Sequence, residues 1–179
     1  MKNDDKDGVV KFPYAEESKI VAQRKEKLSK IKNDFGDLYP NHFRPNARAQ
    51  KLIRNYNHFK RDELESQKVR ISLAGRIILR RRQGKTTFCV LRDATEKIQL
   101  YLNKEVLGEE KYAYQNLIEL GDLVYCSGIL FKTMRGELTL NCDEICILAK
   151  ALQPFPEKFH GLQDPDLRYR NRHIDLTVN

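Results

Sequence analysis

Residues 69–148 carry the pattern that most constrains the fold: three alternating apolar runs, one stretch of helical composition, then two more alternating runs. Residues 69–79 alternate through Val69, Ile71 and Leu73 and are rich in β-branched side chains, as a strand buried on one face requires. Gln83-Gly84 leads into a second strand over 85–92, and residues 93–96 lead into a third over 97–102. The segment 104–119 reads as a helix through Val106, Leu107, Tyr112, Tyr114, Leu117 and Ile118, with Gly108 weakening its first turn. Gly121-Asp122 ends it. Strands four and five cover 123–131 and 137–148, and the turn between them, Thr133-Met134-Arg135-Gly136, places glycine where a positive φ is needed.

Five short strands in an open sheet would expose two edges, and closing the sheet removes both. The order of three strands, a helix and two strands therefore predicts a mainly β fold with helices, a five-stranded OB-fold barrel over 69–149. Gly75 lets the long first strand bend between its two sheets. An open sheet with a helix on one face is the competing arrangement.

The flanks differ in character. Residues 1–13 are polar and expected to be a flexible N-terminus, followed by a helical extension over 14–68. Its first helix, 14–35, has one thin apolar stripe of Ile20, Leu28, Ile31 and Phe35, and Gly36 stops it. Pro40 and Pro45 frame a turn, residues 46–59 read as a second helix with Asn46 as N-cap, and 60–68 read as a charged connection. Residues 150–179, with Pro154, Pro156, Arg168, Arg170 and Arg172, hold too few apolar side chains for a domain and read as a linker toward a further one.

Lys and Arg number 33 against 25 Asp and Glu, a net charge of +8, and the surplus is uneven: 17 basic against 11 acidic residues in 1–70, but 12 against 10 in 71–150. Within that nearly balanced segment Arg76, Arg80, Arg81, Arg82 and Lys85 gather with no acid between 76 and 91. Such a cluster suits a polyanion, although a solvated hairpin tip also accounts for it. On strand geometry Arg80 and Arg82 share one side and Arg81 takes the other.

No run approaches the length of a membrane span and no leader is visible, so a soluble, cytoplasmic protein without a membrane partner is expected. Cys89, Cys126, Cys142 and Cys146 form no CxxC pair and are expected as reduced core residues. His42, His58, His160 and His173 are scattered, and the GxxxxGK[ST], GxSxG and HExxH patterns are absent, so no catalytic residue, cofactor or metal is expected within these residues.

On the expected barrel, Gln99 falls on the side of strand three opposite Ile98, Leu100 and Leu102, which makes it a candidate exposed reader of base edges. Phe88 is a candidate stacking platform, but both sides of strand two are apolar and periodicity leaves its direction open. Glu137, at the mouth of the last hairpin, either accepts from a base N–H or closes a salt bridge.

These residues sit in motifs that resemble the front part of a bacterial-type class II lysyl-tRNA synthetase, its extension and anticodon-binding barrel. The likeness runs from about Arg24 to Asn179 through AGR at 74–76, RRQGKTTF at 81–88, IQLY at 98–101, GD at 121–122, FKTMRGEL at 131–138 and LQPFPEKFHGLQDPDLRYRNRHIDL at 152–176. Family members commonly carry GKASF where this chain has GKTTF, and Arg82 is more basic than usual. The resemblance implies that Arg81, Phe88, Gln99 and Glu137 contact the U-rich anticodon of lysine tRNA, with Phe88 stacking on a central uracil. Arg76, Arg80, Arg82 and Lys85 are expected as phosphate contacts. It further implies a homodimeric full-length enzyme that uses ATP and Mg2+ to activate lysine and ligate it to the tRNA, a catalytic domain beyond Asn179, and no DNA partner. A stand-alone OB-fold adaptor that binds nucleic acid or protein without catalysis is the alternative.

Overall fold

The computed structural model describes residues 14–36, 38–153, 165–170, 172 and 175–176. The expected flexible segment 1–13, Pro154, Pro156, His160 and His173 lie outside them. The chain divides into two compact units, residues 24–152 and residues 1–23 together with 153–179.

In the larger unit β1 (Arg70–Gln83), β2 (Thr86–Arg92), β3 (Lys97–Asn103), β4 (Leu123–Lys132) and β5 (Leu138–Ala149) close a barrel in the order β1-β2-β3-β5-β4. All pairings are antiparallel except β3 with β5. The expected OB-fold order is present, and the open sheet is excluded by the β1–β4 ladder.

Closure depends on β1 changing partners along its length. Arg70 to Arg76 pair with β4, and Arg76 to Gln83 pair with β2. At the changeover a Cβ on Gly75 would lie 2.6 Å from the Arg92 carbonyl oxygen, so only glycine permits this approach. β1 also runs past the expected residue 79 to Gln83, because Arg80, Arg81 and Arg82 continue the ladder with β2 despite their charge. Leu73, Ile77, Leu91, Leu100, Leu130 and Leu140 fill the interior with no exposed surface. Cys89, Cys126 and Cys142 join them as free thiols, and burial pushes the Cys89 thiol up to about 12, which keeps it protonated and inert.

Between β3 and β4 lies α4 (Lys104–Gln115), shorter than expected, with Asn103 Oδ1 accepting from Glu105 N at its start. Gly108 interrupts it outright, with φ 77° and ψ 169°. Tyr114 is buried, and its hydroxyl accepts from Ile147 N at 2.8 Å, tying the helix to β5.

The extension packs through few residues. Helix α1 (Tyr14–Phe35) has the bounds its composition predicts; Ile31 is buried, and the Phe35 ring meets Tyr114 edge-on at 4.6 Å. The second helix is shorter than expected: α2 runs Ala49–Tyr56, and Asn46 is not its cap. Asn46 instead joins β1, its Oδ1 accepting from Ser72 N and its N donating to Ser72 Oγ. The capping acceptors come from the β2–β3 turn, where Asp93 Oδ2 accepts from Ala49 N and Thr95 Oγ1 from Gln50 N. A non-local cap of this kind leaves no local sequence signal. The charged connection is also helical: α3 (Arg61–Gln67) begins with Glu63 accepting from Lys60 N and anchors itself through fully buried Leu64. One apolar residue among charges was too little periodicity to show it.

A buried ionic cluster fixes the start of β4 and the end of β5. Asp122 accepts from Lys150 Nζ at 2.6 Å, Glu119 N at 2.7 Å and Ala151 N at 2.8 Å, and neither the Asp122 nor the Lys150 side chain is exposed. Arg24 and Lys27 of α1 reach Glu119 beside it. In the smaller unit, α5 (Pro165–Arg170) carries Arg168, which with Arg172 pairs with nearly buried Asp175 at 2.8 and 2.6 Å.

Candidate nucleic-acid interface

The direction that periodicity left open at β2 is resolved by burial. Cys89 and Leu91 are fully buried, so Phe88 and Val90 point away from the barrel core. Pairing then sets Phe88 beside Arg81 on one flank and Tyr101 on the other, and Val90 beside Gln99. The parallel β3–β5 ladder adds Thr139 next to Gln99, and Phe131 lies opposite Thr139 on β4. Arg81, Phe88 and Gln99, 18 residues apart at the extremes, thus share one outer face.

Phe88, Tyr101 and Phe131 form a half-buried aromatic row, with ring centroids 5.1 and 5.7 Å apart and inclined at 51° and 66°. Tilted contacts support the Phe88 ring from the side, so its position is defined by neighbours.

Gln99 lies on the outer side but is only 8% exposed, rather than the open reader its parity suggested. The physical reason is its strand: β3 is flanked by β2 and β5, so Val90 and Thr139 cover it from both sides. Its Nε2 donates to Thr139 Oγ1 at 3.0 Å, and Thr139 Oγ1 donates to the Glu137 carbonyl at 3.0 Å. Because the threonine hydroxyl has one proton and gives it to Glu137, it must accept from the amide nitrogen. Oε1 and one amide hydrogen of Gln99 are left for another partner.

Glu137 sits on the β4–β5 turn with its carboxylate exposed. Its N donates to Thr133 Oγ1 at 3.1 Å, and its carbonyl also accepts from Thr133 N at 3.0 Å. Gly136 has φ 80°, the left-handed conformation expected of that turn. The backbone carrying the carboxylate is therefore clamped while the side chain projects.

The basic cluster splits in two. Arg81, Arg82 and Lys85 are exposed, with Arg82 opposite Thr87 and Arg81 opposite Phe88, the alternation read from the sequence. The bulge in β1 lies between Ile77 and Leu79, before the arginines, and leaves that alternation intact. Arg80 falls opposite buried Cys89, and its Nη2 reaches the carbonyl and Oε1 of Gln115, both at 3.4 Å. Arg76 donates to the Gly121 carbonyl at 2.7 Å. Both side chains are turned to the protein's own carbonyls.

Elsewhere, a cleft of about 470 Å³ is lined by Asn46, Arg48, Lys51, Asp93 and neighbouring residues. Asp93 there is committed to Ala49, Thr95 and Glu96; burial works against its ionisation, but those hydrogen bonds hold its carboxyl below the ordinary range. Among the described residues no group of His, Cys, Asp and Glu is placed to hold a metal ion, and no helix is long and apolar enough to cross a membrane. Sequence reasoning passed over Thr139, Tyr101 and Phe131 as site residues. Thr139 follows Glu137 by two positions, the spacing that shares a strand face, but its place beside Gln99 depends on a parallel register invisible in the sequence.

A closed β1-β2-β3-β5-β4 barrel with an aromatic row and exposed Arg81 on one outer face defines an OB fold, and residues 71–148 match the sequence model of the family described as OB-fold nucleic acid binding domain, tRNA anticodon type. Over nearly its whole length the chain is similar to lysine–tRNA ligases. It is 39% identical to that of Paraburkholderia xenovorans (strain LB400) over 166 residues, covering 93% of this chain and 32% of the relative. With the enzyme of Burkholderia vietnamiensis (strain G4 / LMG 22486) the identity is 42% over 164 residues, 92% of this chain and 32% of the relative. With that of Cupriavidus necator the identity is 40% over 167 residues, again 93% and 32%. The chain spans about a third of the length of the curated relatives it matches.

Proposed function

We propose that this chain is the tRNA-reading front of a lysine–tRNA ligase, and that the outer face of β1, β2 and β3 recognises the U-rich anticodon of lysine tRNA. The observation that carries the reading is the convergence of Arg81, Phe88 and Gln99 on one face with Glu137 clamped at its rim. An unstacked base lies on the Phe88 ring, whose outward face is free of core packing. Uracil presents one donor, N3–H, between the acceptors O4 and O2. Across the uracils of the loop, the Gln99 oxygen and the Glu137 carboxylate each accept one N3–H, while Arg81 and the second Gln99 amide hydrogen donate to carbonyl oxygens. Cytosine has a lone pair at N3, which would face those oxygens.

The exposed cations Arg82 and Lys85 supply the phosphate term, while Arg80 and Arg76 brace the barrel. Replacing Arg82 with glutamine is expected to weaken all stem-loops alike and to reduce the slope of log K against log salt by about 0.7, the value for one single-stranded phosphate contact. Replacing Arg80 with glutamine is expected to leave that slope unchanged and to lower the urea midpoint instead. Fluorescence titrations at several salt concentrations check both, and equal slopes for Arg82→Gln and the parent refute the phosphate role.

Ligation of lysine, ATP and Mg2+ use, and the homodimer are assigned to the remaining two-thirds of such an enzyme. The deciding test is titration of the chain with a lysine anticodon stem-loop and with loops whose anticodon uracils are changed to cytosine. Preference for the uracil loop supports the reading. Equal affinity for all loops with weak salt dependence overturns it in favour of a protein-binding adaptor.

A further inference from the structure

We propose that Thr139 is a specificity-positioning residue: its hydroxyl sets the orientation of the Gln99 amide and couples it to the Glu137 backbone, so that the pair presents a pattern suited to uracil. The inference rests on the reading of Gln99 and Glu137 as base-edge contacts and adds a residue that touches no base.

The argument is one of proton accounting. A glutamine amide reads uracil or cytosine according to which of its two ends faces the base, and a half-turn about its last torsion exchanges them at little intrinsic cost. In this barrel the half-turn is opposed. Thr139 is fully buried, its single hydroxyl proton goes to the Glu137 carbonyl at 3.0 Å, and only its lone pairs remain for Gln99. Turning the amide would bring Oε1 against those lone pairs and strand a buried hydroxyl without a donor. The Glu137 carbonyl is itself held by Thr133 N at 3.0 Å, so the chain of bonds ends on a rigid turn. The amide orientation is thereby tied to the hairpin that carries the Glu137 carboxylate. Loss of the hydroxyl frees the amide to serve either pyrimidine.

The test is Thr139→Val, which keeps the branched shape and removes only the hydroxyl, with Thr139→Ser as the variant that restores it. Each is titrated with the uracil and cytosine stem-loops, with thermal melting as a control on folding. A base-edge contact gives a preference of about tenfold. Thr139→Val is expected to bring it within about twofold, mainly by tighter binding of the cytosine loop, and Thr139→Ser to keep it. An unchanged preference in Thr139→Val overturns the inference, as does equal weakening of both loops. Gln99→Ala separates this from the underlying reading: if it leaves affinity and preference untouched, the face does not read bases at all. If Gln99→Ala loses preference while Thr139→Val keeps it, only the positioning role falls. Should Thr139→Val fail to fold, NMR of the unsubstituted chain decides: slow solvent exchange of one Gln99 amide hydrogen with a cross-peak to Thr139 supports the relay, and fast exchange of both overturns it.

Discussion

Replacing Phe88 with alanine is expected to reduce affinity for a lysine anticodon stem-loop by about 1 to 3 kcal/mol, roughly 5- to 150-fold, while leaving the fold intact. The size follows from what the ring does. Cys89 and Leu91 supply the core contacts of β2, so truncation at Phe88 opens no cavity among them. What is removed is the π-face for a base and the lateral support from Tyr101, whose centroid is 5.1 Å away. Because every base has a π-face, the loss is expected to fall on uracil and cytosine loops nearly equally. That distinguishes stacking from the edge reading proposed for Gln99 and Glu137. Phe88→Tyr is expected to retain most of the affinity. A fluorescence titration in which Phe88→Ala binds as the parent does, with an unchanged melting profile, refutes the stacking role.

Replacing Asp122 with alanine is expected to destabilise the barrel by about 3 to 5 kcal/mol, because it breaks a buried ion pair from one side. Lys150 has no exposed side-chain surface, and its ammonium would keep only the Leu117 carbonyl at 2.7 Å and Glu119 at 3.9 Å. The backbone N–H groups of Glu119 and Ala151 also lose their acceptor. Burial already holds the Lys150 ammonium below the usual lysine range, with Asp122 partly offsetting it, and removal of the carboxylate drives it lower still. The pH dependence has a definite sign. A lysine depressed in the folded state binds fewer protons there than in the unfolded chain, so stability rises with pH between the folded and the unfolded pKa. The variant should therefore recover part of its deficit as the solution is made alkaline, more steeply than the parent. Urea denaturation at several pH values checks this. A deficit constant with pH would show that lost backbone hydrogen bonds, not the stranded ammonium, set the cost.

These two residues mark what each level of description could reach. Asp122 was legible only as half of a Gly-Asp turn, since its partner Lys150 lies 28 positions away and no local rule connects them. Phe88 was legible as an aromatic on a strand, but its direction was not, because β2 is apolar on both faces and alternation cannot choose between them. Alternation gives the side of β3 on which Gln99 lies but not its exposure, because cover from a parallel β5 neighbour is a property of the closed barrel. The α3 helix and the side-chain cap of α2 escaped for related reasons: the first rests on one buried leucine, and the second is supplied from a turn more than 40 residues on.

Local chemistry along the chain set the order of elements, the glycine at the changeover of β1, the alternation of Arg80, Arg81 and Arg82, and a charge surplus that lies mostly outside the barrel. All of these are local: they follow from period-two burial, turn chemistry and side-chain parity along one strand. Tertiary structure alone decided that Arg80 and Arg76 turn to the protein's own carbonyls, that Phe88 looks outward, and that one threonine hydroxyl joins Gln99 to Glu137. Those outcomes depend on which strands become neighbours when the sheet closes, and closure sets side by side residues that the chain holds 40 positions apart, as with Gln99 and Thr139, or 59, as with Arg70 and Ile129.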